Sequence, residues 1–255
     1  MNQMKIMKMV FISLMGILIL TGCSSTGSDH ANHSEDVEAA ANVENAEKTE
    51  TVTNASEAKA RLVEGNQRYL QGISMLNSGE SIRLELSKNG QAPFAIIVGC
   101  SDSRVPPEVI FDQGLGELFV VRNAGNVVDP VVLGTLEYGA EHLEVPLIVV
   151  LGHEKCGAVK ATVDGVRSGE TVSGDLGEII GLITPSYGKV IENSELAQEK
   201  QPANLYELCA DQNIQAAIEE IKSNSVIGHL LESGKVSVIG AKYHMDTGEV
   251  SFIQD

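Results

Sequence analysis

Positive charge is scarce in this sequence. Its 255 residues carry 18 lysines and arginines against 35 aspartates and glutamates, a formal charge of −17, which argues against binding nucleic acid or an anionic membrane surface through charge. Long hydrophobic runs are equally few: the most extended, Met9 to Leu20, is too short to span a bilayer comfortably. No internal repeat is visible, which sets aside solenoids and propellers. Cysteine is limited to four residues, too few for a dense disulfide framework. What remains is a chain long enough for one large domain with attachments, able to bury a substantial core.

The attachments lie at the N-terminus. Lys5 and Lys8 precede the apolar run, so residues 1–22 read as a secretory signal. Leu20-Thr21-Gly22-Cys23 resembles the lipobox of bacterial lipoproteins, which implies that Cys23 becomes a lipidated first residue whose acyl chains anchor the protein. The segment 23–55 is acidic, lacks aromatics and is rich in Ala, Asn, Ser and Thr; it buries too little to fold and reads as a tether. The folded domain is then expected over 56–255, extracytoplasmic and held by lipid to the cell membrane or the outer membrane. With Cys23 set aside, Cys100, Cys156 and Cys209 are an odd number in an exported protein. At least one thiol is free, and a metal is one way to protect two.

Apolar patterning sorts the domain. The runs 93–99, 118–121 and 146–151 are apolar at nearly every position, as strands covered on both faces in a parallel sheet are. Helical spacing is seen over 56–71, with Ser56 as N-cap, over 131–143, from Cys156 to about Arg167, over 205–222 and over 226–232. A looser helical region, 176–198, is expected to break at Thr184-Pro185-Ser186. Residues 236–245 and 250–253 flank Asp246-Thr247-Gly248, a hairpin signal. These readings predict an α/β domain: a mostly parallel central β-sheet flanked by helices, with an antiparallel edge strand.

The chemistry gathers at two strand ends. Cys100-Ser101-Asp102-Ser103-Arg104 follows one apolar run and Gly152-His153-Glu154-Lys155-Cys156-Gly157 follows another. Parallel neighbours deliver both to one rim, where ligands sit in open α/β sheets. Two thiolates and an imidazole suit zinc, and three protein ligands leave a fourth position open. Taken singly, Cys100 also reads as core packing and His153 as a capping or satisfied histidine. Asp102 and Arg104 are spaced to form a charge-assisted pair.

Those two motifs, with Val121-Arg122-Asn123-Ala124-Gly125-Asn126 between them, resemble the β-class carbonic anhydrases over about residues 56–255. The resemblance implies Zn2+ held by Cys100, His153 and Cys156, and Arg104 holding Asp102 away from the metal so that water reaches it. It implies hydration of carbon dioxide to bicarbonate and a proton by hydroxide generated at the zinc, in a homodimer or a multiple of dimers. Gln113 resembles the glutamine that reaches substrate oxygen in the partner subunit's site; it also reads as a turn residue before Gly114. Phe111, Val105 and Tyr138 either line the substrate pocket or pack in the core. One subgroup of the family carries tryptophan three residues before the first ligand, in an inhibitory bicarbonate site; here Ile97 stands there and the chain has no tryptophan. His142, His229 and His244 are proton-shuttle candidates or packed side chains, and Cys209 reads as a structural thiol. Two alternatives keep the same residues: hydrolysis of carbonyl sulfide or carbon disulfide, and a non-catalytic zinc- or anion-binding surface lipoprotein.

Overall fold

A computed structural model describes residues 52–169, 172–192 and 204–253. The signal segment, Cys23 and all of the tether before residue 52 lie outside the described residues, as does the stretch 193–198 expected to extend a helix. The chain divides into two units, Met1–Thr49 and Glu50–Asp255, and every described residue belongs to the second.

Five strands form one sheet in the order β2-β1-β3-β4-β5: β1 (Ala95–Cys100), β2 (Leu118–Asn123), β3 (Leu147–His153), β4 (Ser237–Tyr243) and β5 (Val250–Ile253). β1 to β4 are parallel and β5 pairs antiparallel with β4, as expected. The reason lies in burial. Every residue of β1 and β3 is buried, because helices cover both faces of the two central strands.

Strand alternation divides these residues between two cores. Ala95, Ile97, Leu147, Val149 and Leu151 join Leu62 of α1 (Ala55–Leu70), Val159 and Val163 of α5 (Gly157–Ser168), and Ile183 and Val190 of α6 (Leu176–Glu192). Ile96, Val98, Ile148, Val150 and Val238 face the other way. They meet Leu136 of α4 (Pro130–Glu137), Ile214 and Ile218 of α7 (Leu205–Ser223), and Ile227 of α8 (Ser225–Glu232). A π-helical turn, Tyr138–His142, prolongs α4.

Three local expectations change. Asn54, not Ser56, caps α1: its extended backbone lets its side chain accept from the Glu57 N–H at 2.9 Å. Val52 and Ala55 pack against the core as well, so the folded unit reaches back to residue 52. Pro185 does not break α6. Its missing N–H frees one carbonyl, that of Gly181, while buried Ile183 and Val190 hold the helix on both sides of the step. Two helices had no counterpart in the patterning: α2 (Glu80–Asn89), which buries none of its residues, and the single turn α3 (Pro107–Ile110).

α1 is fastened to α3 and the β4–β5 hairpin by close approach. A Cβ on Gly65 would lie 1.8 Å from the Phe111 carbonyl oxygen, so only glycine lets α1 reach the segment after α3. Buried Asn66 donates to the Ile110 and Gly248 carbonyls and accepts from Val250 N–H. One amide thus joins α1, α3 and the β4–β5 hairpin.

Candidate metal centre

Strand order reverses between β1 and β3, since β2 flanks β1 on one side and β3 on the other. That crevice is where open α/β sheets hold ligands. Cys100 is the last residue of β1 and His153 the last of β3. Cys156 occupies the N-cap position of α5, where the helix dipole favours a thiolate. The three are buried, and their ligand atoms all lie within 4.8 Å of one another.

The turn between His153 and Cys156 is fixed from several directions. Lys155 sits at φ +55°, a left-handed conformation that a side chain adopts only when its surroundings insist. Its N–H donates to Glu207 of α7 at 2.9 Å, its ammonium pairs with Asp246 at 2.7 Å, and its carbonyl accepts from Arg104 at 3.3 Å. Glu154 donates its N–H to the Tyr243 carbonyl, while its carboxylate holds the Met245 N–H and the His244 ring.

The donor set fits a soft divalent ion. His153 Nδ1 faces the Glu154 carbonyl at 2.8 Å, while its buried Nε2 has no hydrogen-bond partner. A carbonyl only accepts, so Nδ1 carries a proton, which leaves Nε2 as the nitrogen that a metal would take. The Cys156 thiol draws the Cys100 thiol down from 9.0 to about 4 although burial opposes it, and the Gly125 N–H, 3.3 Å from the sulfur, adds to the effect. Cys156 moves up in answer. One thiolate thus opposes the other, and a bound cation would allow both sulfurs to ionise. Burial disfavours charge on His153, yet the Cys100 thiolate and the Glu154 carbonyl outweigh it and raise its pKa.

Asp102 and Arg104 form a two-pronged ion pair. Arg104 Nε donates to Oδ1 at 2.8 Å and Nη2 to Oδ2 at 2.6 Å, and the Arg104 N–H adds a third bond to Oδ1 at 3.0 Å. The Arg104 hydrogen bonds lower Asp102 from 3.8 to about 2 despite some burial. The carboxylate is therefore ionised throughout the physiological range.

The remaining candidates sort by position. Gln113 is buried and donates to the Phe111 carbonyl at 2.6 Å, so within one chain α3 and α1 hold it rather than the cluster. Phe111 and Val105 are core residues; Tyr138 is 48% exposed, beside His142 on the π-helical turn with ring centroids 5.3 Å apart. His229 lies on α8. His244 is bonded to Glu154 and Ser251, which leaves neither ring nitrogen unpartnered. Burial pushes Cys209, inside α7, up to about 11, as befits an inert packed thiol. A cavity of about 540 Å³ between α6, α7 and β4 includes none of the three clustered ligands, and its ammonium groups Lys189 and Lys242 are already paired with Glu219 and Asp211.

Sequence reasoning gave Arg122 no role. Its guanidinium donates to the Cys100 carbonyl at 2.8 Å and to the Asp102 carbonyl at 2.7 Å. A lone basic residue directly after the apolar run Leu118–Val121 was the available signal. Gly125, at φ +81°, was likewise unassigned; its left-handed backbone turns its N–H onto the Cys100 sulfur, and Asn213 secures its carbonyl at 2.8 Å.

Residues 95–250 match the family model described as carbonic anhydrase. A carbonic anhydrase of Mycolicibacterium smegmatis is 38% identical over 190 residues, covering 74% of this chain and 88% of that protein. Carbonic anhydrase 2 of Mycobacterium tuberculosis is 35% identical over 197 residues, covering 77% and 91%. Among solved structures, a Coccomyxa β-carbonic anhydrase in complex with acetazolamide superposes with a TM-score of 0.60 at 28% identity, covering 68% of this chain and 78% of that one. A tetrameric β-carbonic anhydrase of Sordaria macrospora gives a TM-score of 0.59 at 25% identity, covering 69% and 92%.

Proposed function

The chain belongs to the β-class carbonic anhydrases, and from that premise we propose that it hydrates carbon dioxide reversibly to bicarbonate and a proton at Zn2+ held by Cys100, His153 and Cys156. The observation that carries this reading is the buried sulfur, nitrogen, sulfur triad with an unpartnered His153 Nε2, beside an ion-paired carboxylate. Zinc, when bound, lowers the pKa of its water from about 15.7 towards about 7 and so supplies hydroxide near neutral pH.

The protein's own groups do the rest. Cys100 and Cys156, both ionised, balance the charge of a divalent ion, which leaves a neutral centre from which an anionic product departs readily. His153 is oriented by the Glu154 carbonyl. Asp102 presents an ionised carboxylate whose oxygen accepts a hydrogen bond and aims the nucleophile at the carbon. Arg104 keeps that carboxylate on itself instead of on the metal. The protein works as a dimer or a multiple of dimers, a reading supported by a relative described as tetrameric, and Gln113 would reach the partner subunit's site once its bond to the Phe111 carbonyl opens.

Cys23 is the lipid attachment point after removal of residues 1–22, and the domain works outside the cytoplasmic membrane at the end of the segment 23–55. Leu20-Thr21-Gly22-Cys23 supports this placement. Cys23→Ala should abolish lipid labelling and membrane fractionation; unchanged labelling would remove the anchor. The catalytic reading is tested by stopped-flow carbon dioxide hydration with zinc measured on the same sample. Zinc-dependent hydration is expected, and fully loaded protein without turnover would refute it.

A further inference from the structure

Arg122 holds the peptide backbone of the site in a way that the strand pairing does not require. Gly99 pairs with Arg122 and Cys100 with Asn123 along the parallel ladder, and the Ser101 N–H continues it to the Asn123 carbonyl at 2.8 Å. β2 and β1 are therefore joined to their ends without the guanidinium. Yet Arg122 reaches over from the half-buried edge strand to bond the Cys100 carbonyl with Nε and the Asp102 carbonyl with Nη2. Among the described residues no carboxylate pairs with it. An arginine on a sheet edge that faces water or a carboxylate is ordinary; one whose charge-assisted bonds both go to carbonyls of a single short loop fixes the peptide planes of that loop.

We propose that Arg122 is a positioning residue for carbon dioxide hydration, setting the backbone orientation from which Asp102 reaches Arg104 and not the metal. The two arginines act at different points: Arg104 grips the carboxylate, and Arg122 grips the main chain on which it rides. Without Arg122 the Asp102 carbonyl keeps only the Val105 N–H at 3.1 Å, and the Cys100 carbonyl loses the donor that holds the ligand and the loop in one frame. The inference rests on the proposed reaction at the triad.

The test is a double-mutant cycle. Arg122→Gln is prepared in the wild-type and Asp102→Ala backgrounds, with Arg122→Lys as the conservative variant. In the wild-type background Arg122→Gln should fold, hold its full metal content and lose about 10- to 100-fold in kcat, the scale of a misplacement near 1 Å. Its cobalt-substituted form should show the altered ligand field of a carboxylate on the metal. Arg122→Lys should recover part of the loss. In Asp102→Ala, where there is no carboxylate to misplace, the same substitution should change kcat by less than about twofold. An equal loss in both backgrounds, an unchanged cobalt spectrum, or a variant that neither folds nor binds metal would overturn the proposal and leave Arg122 a structural tie. Absence of hydration in the wild type would sink the functional reading instead. The cobalt spectrum still reports where the carboxylate lies, so the two failures separate.

Discussion

The two loops that build the metal centre are held in opposite ways. The His153–Cys156 turn supplies two ligands and is locked by groups that reach it from elsewhere: Glu207 on α7, and Asp246 and His244 around the β4–β5 hairpin. The Cys100–Arg104 loop carries one thiol of the triad and the Asp102 carboxylate proposed to aim the nucleophile, and arginines hold it, one of them 53% exposed. In the proposed mechanism the first loop retains the metal and the second controls what else touches it. Retention and turnover should therefore come apart under mutation.

Breaking the first loop has the largest expected effect. Cys156→Ser replaces an anionic soft ligand with a neutral hydroxyl, and zinc affinity should fall by more than about 100-fold, since even the loss of a group that merely orients a ligand costs about 10- to 100-fold. Metal analysis after dialysis checks this. Full metal content with normal activity would mean that the ligands are assigned wrongly.

A subtler change sharpens the contrast. Glu207→Ala removes the acceptor of the Lys155 N–H, leaving a strained turn without its anchor on α7. Zinc should dissociate about 10-fold faster while protein kept loaded with zinc retains its turnover. Turnover lost at full occupancy would show that the turn does more than hold the ion.

The smallest effect lies outside both loops. Burial raises the Cys209 thiol from 9.0 to about 11, so the folded state favours the neutral form. The associated stability is intact below pH 9, where the thiol is neutral in both states, and is lost as the pH rises from 9 through about 11, because the unfolded thiol ionises first. The change is on the order of 1 to 3 kcal/mol. Denaturant midpoints at alkaline pH should fall less steeply in Cys209→Ala than in the wild type.

Much of this arrangement was legible because it is local. The sheet announces itself in β1 and β3, whose burial on both faces leaves continuous apolar runs, and the ligands stand where those runs stop. Asp102 and Arg104 are two residues apart and find each other within one loop. What escaped lies at long range or carries no apolar signal. Glu207 meets Lys155 across 52 positions, and Arg122 acts on carbonyls, which every residue has and no sequence pattern marks. α2 buries nothing, so it leaves no hydrophobic stripe to detect. Pro185 misled because a backbone rule was outweighed by the packing of Ile183 and Val190 on either side of it.

The division of labour between the loops is tested most directly by Arg104→Ala, with zinc content and carbon dioxide hydration measured on the same preparation. Without its guanidinium, Asp102 loses the bonds at 2.8 and 2.6 Å and keeps only the backbone N–H at 3.0 Å, so that it can turn onto the metal. The account predicts a folded protein with full zinc and turnover reduced about 100-fold or more. Wild-type turnover, or activity lost only in step with the metal, would contradict it.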